Sequence, residues 1–224
     1  MSLRRLFLQQ AQAVSTDFIM EIKTDNAGGT LDTQFNFNAV GTYDINWGDG
    51  TSQTGVVNFQ AHTYSVAGTY DLSVSGGLEN IVFNNGGDKL KALNVKQWGN
   101  ISWVTFSRAF WGCSNLLLTA TDSPDLSGVT DFFRAFRDCD LFDANLGSWD
   151  ISGITNFSQF MTGATGLSNA NYDATLIGWA AQSVQSGISI DFGGSQYTLG
   201  GAAEAARTTL TTTYNWTIAD GGGI

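Results

Sequence analysis

Histidine, cysteine, proline and cationic residues are all scarce in this chain. One histidine, His62, leaves nucleophilic triads of the Ser-His-Asp or Cys-His type only one base to use. Two cysteines, Cys113 and Cys139, cannot complete a four-ligand zinc site with a single distant histidine. A single proline beside 27 glycines puts the burden of turning the chain on glycine, Asn and Asp. Ten Lys and Arg stand against 20 Asp and Glu, a formal net charge of −10, and no Lys/Arg run interrupts the acidic balance. Such a chain is repelled by a phosphate backbone, which excludes nucleic acid as the expected partner. No apolar stretch approaches the roughly 20 residues of a membrane helix. Phosphate-loop and dinucleotide fingerprints are also missing.

Aromatic residues, by contrast, are abundant: 15 Phe, 7 Trp and 6 Tyr in 224 residues. A chain of this length and apolar content can bury a core without disulfides. Near the start, Arg4 and Arg5 precede Leu6-Phe7-Leu8, and Ala11-Gln12-Ala13 has the form of a signal-peptidase site. The apolar run is nevertheless far shorter than the roughly 7–15 residues of a signal-peptide core. Residues 1–16 therefore read as an arm, a linker or a segment that docks to another protein.

Residues 17–77 alternate apolar and polar positions in short segments separated by turn signals, the pattern of a β-sandwich. The expected strands are Phe18–Ile22, Phe35–Asn38, Tyr43–Trp47, Val56–Phe59 and Thr69–Val74, the last ending at Gly76-Gly77. Gly48-Asp49-Gly50 supplies a turn, because glycine accepts positive φ and aspartate bonds its own backbone. The ordered elements Trp47-Gly48-Asp49-Gly50-Thr51, His62-Thr63-Tyr64 and Gly68-Thr69-Tyr70-Asp71-Leu72-Ser73-Val74 resemble those of the polycystic-kidney-disease (PKD) domain. That resemblance covers about 60 residues. It implies an immunoglobulin-like sandwich, used outside cells as a spacer or binding module.

Residues 78–186 repeat internally. Asp125-Leu-Ser-Gly-Val-Thr-Asp-Phe132 matches Asp150-Ile-Ser-Gly-Ile-Thr-Asn-Phe157, 25 residues later. Phe110, Phe136 and Phe160 recur at intervals of 26 and 24, while Cys113, Cys139 and Ala164 share one column. Leu116, Phe142 and Leu167 share another, and Trp103, Phe106 and Phe110 align with Val129, Phe132 and Phe136. A period near 25 lies within the leucine-rich-repeat range. One coil cannot bury its own apolar edge, whereas stacked coils place equivalent side chains over one another. Short helical turns are expected at Ser107–Trp111, Phe132–Phe136 and Phe157–Met161. The Phe110-Trp111-Gly112-Cys113-Ser114-Asn115-Leu116 step resembles BspA-like leucine-rich-repeat surface proteins. Their usual methionine before the phenylalanine is replaced here by Ala109, Ala135 and Gln159.

The predicted fold is thus mainly β with short helices: a sandwich, a short leucine-rich-type solenoid, and an α/β cap over 187–224. Tyr172, Leu176, Ile177, Ala180 and Val184 have helical spacing. Ile188–Phe192 reads as a strand, Ala202–Thr212 as a helix and Trp216–Ile218 as a final strand, with Gly221–Gly223 fraying.

Candidate functional residues are few. His62 is expected to bond a nearby turn. Cys113 and Cys139 sit one coil apart, close enough for a disulfide, with a buried thiol ladder as the competing reading. Asp49, Asp125 and Asp150 are the candidate calcium ligands, although each also suits a turn and no Asp-x-Asp-x-Asp-Gly spacing is present. Among the carboxylates, a glycosidase pair would need one raised pKa across a cleft. Trp98 and Trp149 are the candidate stacking platform for a glycan. Trp47, Asp49, Gly50, His62, Tyr64 and Tyr70 form the motif of the sandwich, and Phe110, Cys113, Phe136, Cys139 and Phe160 that of the repeats.

Both resemblances imply work outside cells. The expectation is a non-enzymatic exterior protein without cofactor, most simply a decoration or host-attachment protein on a phage virion. Its arm would contact other virion proteins, its repeats a host glycan or protein, with a homo-oligomer as one arrangement. A secreted bacterial adhesin is the alternative; a carbohydrate-binding accessory module or glycosidase is the third.

Overall fold

The computed structural model describes residues 16–224; the expected arm, apart from Thr16, lies outside the described residues. The described chain is mainly β, with two α-helices. β1 (Phe18–Lys23), β2 (Gln34–Phe37), β3 (Ala39–Asn46), β4 (Ser52–Val57), β5 (Gln60–Thr63) and β6 (Thr69–Ile81) come first. They are followed by β7 (Ala92–Gln97) and the two-residue β8 (Leu117–Leu118). Alternation is strict where one face is covered: Phe18, Met20 and Ile22 of β1 are buried, and their neighbours partly exposed. β2 and β5 pair antiparallel as a separate ribbon, while the larger sheet has the order β4-β3-β6-β1-β7-β8.

Two expected strand ends move. Phe59 lies beyond the end of β4 and is exposed, because its neighbour Asn58 takes a left-handed conformation. The strand expected to end at Gly76-Gly77 continues to Ile81. Gly76 takes φ of 90° without leaving the sheet, and β6 goes on pairing with β3 as far as Ala39 opposite Ile81. Because β1 pairs with both β6 and β7, the sheet passes without a break into the repeat region.

A buried polar cluster pins the same seam. Lys91 and Asp88 are both inaccessible, with Nζ 3.9 Å from Oδ1. Lys91 Nζ donates to Thr30 Oγ1, Leu31 O and Gln34 O, each at 2.8 Å. Asp88 accepts from the backbone N–H groups of Thr30 (3.0 Å) and Asn36 (2.7 Å). Burial lowers the Lys91 pKa, and Asp88 opposes that shift. An unpaired charge here would be very costly, so the long loop before β2 is tied down by electrostatics rather than by apolar packing.

From Trp103 to Ala164 the expected helical turns are replaced by pairs of consecutive β-turns. In the first pair, Ala109 N–H donates to Phe106 O and Cys113 N–H to Phe110 O. The same two bonds recur at 132–139 and 157–164. The third residue of each turn is left-handed, which stops a helix from propagating: Arg108, Arg134 and Gln159 in the first turns; Gly112, Asp138 and Gly163 in the second. Coils join through backbone bonds such as Phe110 N–H to Ala135 O (2.8 Å) and Phe136 N–H to Phe160 O (2.9 Å). These bonds correct one column. Met161, not Phe160, is the counterpart of Phe110 and Phe136, and Phe160 takes the place of Ala109 and Ala135. Phe110 and Phe136 accordingly stack at 7°, whereas Phe160 meets Phe136 edge-on at 89°.

A column of rings fills the centre. Phe106 stacks on Phe132 at 4.8 Å, and Phe132 on Phe157 at 5.5 Å. Trp103 lies between Phe106 (5.1 Å) and Phe18 of β1 (5.5 Å), which carries the column into the first sheet. At the far end, α1 (Asn169–Ala180), β9 (Ser189–Asp191), α2 (Ala202–Thr212) and β10 (Thr217–Ala219) close it. β9 and β10 pair parallel, and Trp179, Phe192 and Trp216 come over the last rings. On α1, Trp179 is buried with Tyr172 and Leu176, while Ile177, expected inside, is exposed. Gly221–Gly223, expected to fray, are instead held: Gly221 N–H donates to Ser195 O at 2.7 Å and Gly222 O accepts from Tyr197 N–H.

Phe132 touches rings of both neighbouring coils, so Phe132→Ala removes contacts on two sides. A loss of about 3–5 kcal/mol is expected in chemical denaturation; a loss below about 1 kcal/mol would show that the column does not support the stack.

Candidate functional site

The turn after β3 collects the first group of sequence candidates. Asp49 Oδ1 accepts from Thr51 N–H (2.9 Å) and Thr51 Oγ1 (2.6 Å), and His62 Nε2 lies 2.8 Å from Asp49 Oδ2. The imidazole stacks on Trp47 at 4.7 Å and meets Tyr64 edge-on at 4.5 Å. Tyr64 donates its hydroxyl to Trp47 O at 3.0 Å and stacks on Tyr70. Gly48 cannot be replaced cheaply, since φ is 82° and a Cβ would fall 2.5 Å from Asp71 O. Gly50 is also left-handed but faces open space. His62 thus bonds the turn, as expected, and its hydrogen-bond partner is a carboxylate rather than a nucleophile.

Partial burial of Asp49 acts to raise its pKa. The hydrogen bonds from Thr51 and His62 outweigh this and hold it at about 2. The folded value lies below the unfolded one, so the carboxylate stabilises the fold fully above about pH 4. That contribution disappears as pH falls towards 2. Asp49→Ala should therefore lower stability by about 1–3 kcal/mol at neutral pH and flatten the acid limb of the stability-versus-pH curve. An unchanged acid limb in that variant would argue against the assignment.

Asp125 and Asp150 occupy equivalent places in successive coils. Each accepts a hydrogen bond from the backbone two residues on, Ser127 N–H and Ser152 N–H, both at 3.0 Å. Those serines lower both carboxyl pKa values. Asp49 belongs to a different turn. Among the described residues no group of three or more His, Cys, Asp or Glu side chains is placed to hold a metal ion. Cys113 and Cys139 are free and buried. Cys139 Sγ donates to Phe110 O at 3.0 Å, and burial pushes both thiols far above their ordinary pKa. Native protein should resist iodoacetamide and react at both cysteines only after unfolding; rapid labelling of folded protein would contradict the burial.

Trp98 and Trp149 are not an exposed platform. They are 0 % and 2 % accessible and meet edge-on at 5.3 Å, and Trp98 also packs against Phe18 and Phe106. A ring already covered by other rings cannot stack on a sugar. The two tryptophans instead form the floor of an open cleft of about 320 Å³, the most evident candidate site in the described chain. Its walls come from 118–122 of one coil and 143–149 of the next, with Asn171 of α1 at one side. Asp122 accepts from Trp98 N–H (3.1 Å) and Gly99 N–H (2.8 Å). Asp143 accepts from Ser168 N–H (2.9 Å) and Asn171 Nδ2 (2.7 Å). Burial works to raise the Asp143 pKa, but these bonds prevail and lower it. Ser123 and Ser148 share a hydroxyl hydrogen bond of 2.9 Å across the coils. Below them, Trp98 Nε1 is buried without a hydrogen-bond partner.

The sequence pattern missed this cleft, although a signal was present. Ser123 and Ser148, like Asp143 and Ser168, are 25 residues apart and bond each other. Polar residues that recur with the repeat period mark a face of the stack just as apolar ones mark its core.

Residues 80–191, half of the chain, match the family model described as Mycoplasma protein of unknown function, DUF285. The chain belongs to this family. No curated protein and no solved structure matches it.

Proposed function

We propose that this member of the DUF285 family is a non-enzymatic recognition protein that works on the outside of a cell or of a viral particle. In this reading the first sheet and the β2–β5 ribbon are a PKD-like, immunoglobulin-like sandwich that serves as a spacer. The coils are a short leucine-rich-type stack that presents the recognition surface. The observation that carries the reading is the cleft over Trp98 and Trp149, an open polar groove built from side chains repeated once per coil. Polar groups at regular spacing in a shallow groove suit a polymer with many hydroxyls better than a small substrate held in a closed pocket.

The state of the carboxylates favours binding over hydrolysis. A glycosidase needs one carboxyl kept protonated by a raised pKa. Asp143, the cleft acid with a resolved shift, is displaced the other way by its three donors. Asp122 uses its oxygens to hold the backbone of Trp98 and Gly99. No helix among the described residues is long and apolar enough to cross a membrane. Weak contacts of this kind reach useful strength when many copies are displayed together, with avidity gains on the order of 10²–10⁴.

The test is a panel of surface polysaccharides presented to the full chain on a multivalent support, followed by an assay for reducing ends. Binding without release of reducing ends is expected. Thr121 is an exposed wall residue, so Thr121→Trp should fill the cleft and weaken capture about tenfold or more at unchanged Tm. Turnover of any polysaccharide, or capture unaffected by Thr121→Trp, would overturn the proposal.

A further inference from the structure

The paired turns carry a second surface, built from a different segment of each coil. Among the described residues, Lys23, Lys96 and Arg207 lie within 4 Å of carboxylates, and Lys91 is buried in the seam. The remaining cations, Lys89, Arg108, Arg134 and Arg137, gather at these turns in a chain whose net charge is −10. Arg108 lies over the Phe133 ring at 5.1 Å, and Arg134 over Phe133 and Trp111 at 4.5 Å each. Arg137 covers Trp111 at 5.3 Å. Gln159 Oε1 accepts from Arg134 Nε (2.6 Å) and Arg137 Nη1 (2.5 Å). Asp138 is the one carboxylate in the group, 3.5 Å from Arg137 Nε and bonded to Trp111 Nε1.

The backbone gives an independent indication. Arg108, Arg134 and Gln159 all have φ of 57°. At every other left-handed position among the described residues the side chain is glycine, asparagine or Asp138. Those residues adopt this conformation readily, and arginine does not. Long polar side chains therefore occupy the one column of turns where a shorter residue would be easier. Arg108 has no hydrogen-bond or carboxylate partner for its guanidinium among the described residues, and Arg134 uses only Nε. Stacking fixes the plane of each guanidinium while leaving its edge N–H groups open to fork onto a carboxylate or sulfate.

We infer that this strip binds an acidic polysaccharide bearing carboxylate or sulfate groups along its length. Successive coils are joined by backbone bonds such as Arg108 N–H to Phe133 O (2.7 Å), so the cations recur at about the 4.8 Å spacing of paired strands. Duplex DNA offers a charge every 1.7 Å or so, and the acidic remainder of the chain repels so dense a polymer. An acidic peptide would seek backbone pairing, but the N–H groups of residues 108, 110 and 112 already bond the next coil. The inference rests on the reading of the chain as a recognition protein and names one class of partner for it.

Heparin, polygalacturonate, neutral dextran, poly-glutamate and a DNA duplex would be titrated into the full chain by calorimetry. The expected result is binding of heparin or polygalacturonate that weakens roughly tenfold or more between about 50 and 200 mM salt. Arg108→Gly with Arg134→Gly should abolish it by about tenfold or more while leaving Tm unchanged or higher, because glycine relieves the left-handed strain. Thr121→Trp should have no effect on it. Absence of binding to both acidic polysaccharides, binding retained in the double glycine variant, or equal or tighter binding of poly-glutamate or DNA would overturn the inference. Capture of a neutral polysaccharide that is salt-insensitive and lost in Thr121→Trp would overturn the strip alone and leave the recognition reading standing.

Discussion

The register between coils is the constraint on which the rest of the molecule depends. Each coil donates backbone N–H groups to the next at the paired turns, and left-handed residues at two places per coil determine where those donors point. With the register set, Phe106, Phe132 and Phe157 fall over one another. If the turns slipped by one residue, every inward ring would move away from its partner. The same register brings Ser123 to Ser148, Asp143 to Ser168 and Arg134 to Gln159. Core, cleft and cationic strip are three consequences of one set of backbone bonds.

The ends of the stack show how such an array is closed. A repeat exposes an unpaired edge at each terminus, and that edge must be covered. At one end the cover is the first sheet, joined through β7 and β8 and held by the buried Lys91–Asp88 cluster. At the other it is α1 with the parallel β9–β10 pair, where Tyr172 donates to Asp220 at 2.7 Å and Arg207 meets the same carboxylate at 2.8 Å. Rings run between the two covers, from Phe18 through Trp103 and Phe157 to Trp216. The abundance of Phe and Trp is therefore a requirement of packing along the whole axis. This accounts for the burial of Trp98 and Trp149, which composition alone suggested as surface residues.

Much of the chemistry was excluded by scarcity and then explained by geometry. The one histidine braces a turn, the two thiols line a core, and Asp125 and Asp150 cap their own turns. What remains available to a partner is side chains repeated at coil spacing, polar in the cleft and cationic at the turns. Neither surface has the isolated, perturbed acid or base that marks a catalytic centre.

By itself the sequence determined the mainly β character, the turn at Gly48-Asp49-Gly50, the 25-residue period and the helix at Ala202–Thr212. Each depends on local chemistry or on spacing along the chain, which a single sequence displays. The role of His62 was legible too, since an aspartate turn needs a nearby donor. Only the tertiary structure decided the continuation of β6 past Gly76-Gly77, because a glycine inside a sheet looks like a stop until its partner strand is known. It also decided that Met161, not Phe160, continues the Phe110 column, since the shorter third interval moves every residue after the first turn by one place. The cleft and the cationic strip were hidden for the same reason. Their residues are distant in sequence and become neighbours only when coils stack, and which face a repeated side chain takes depends on φ at the turns rather than on its spacing.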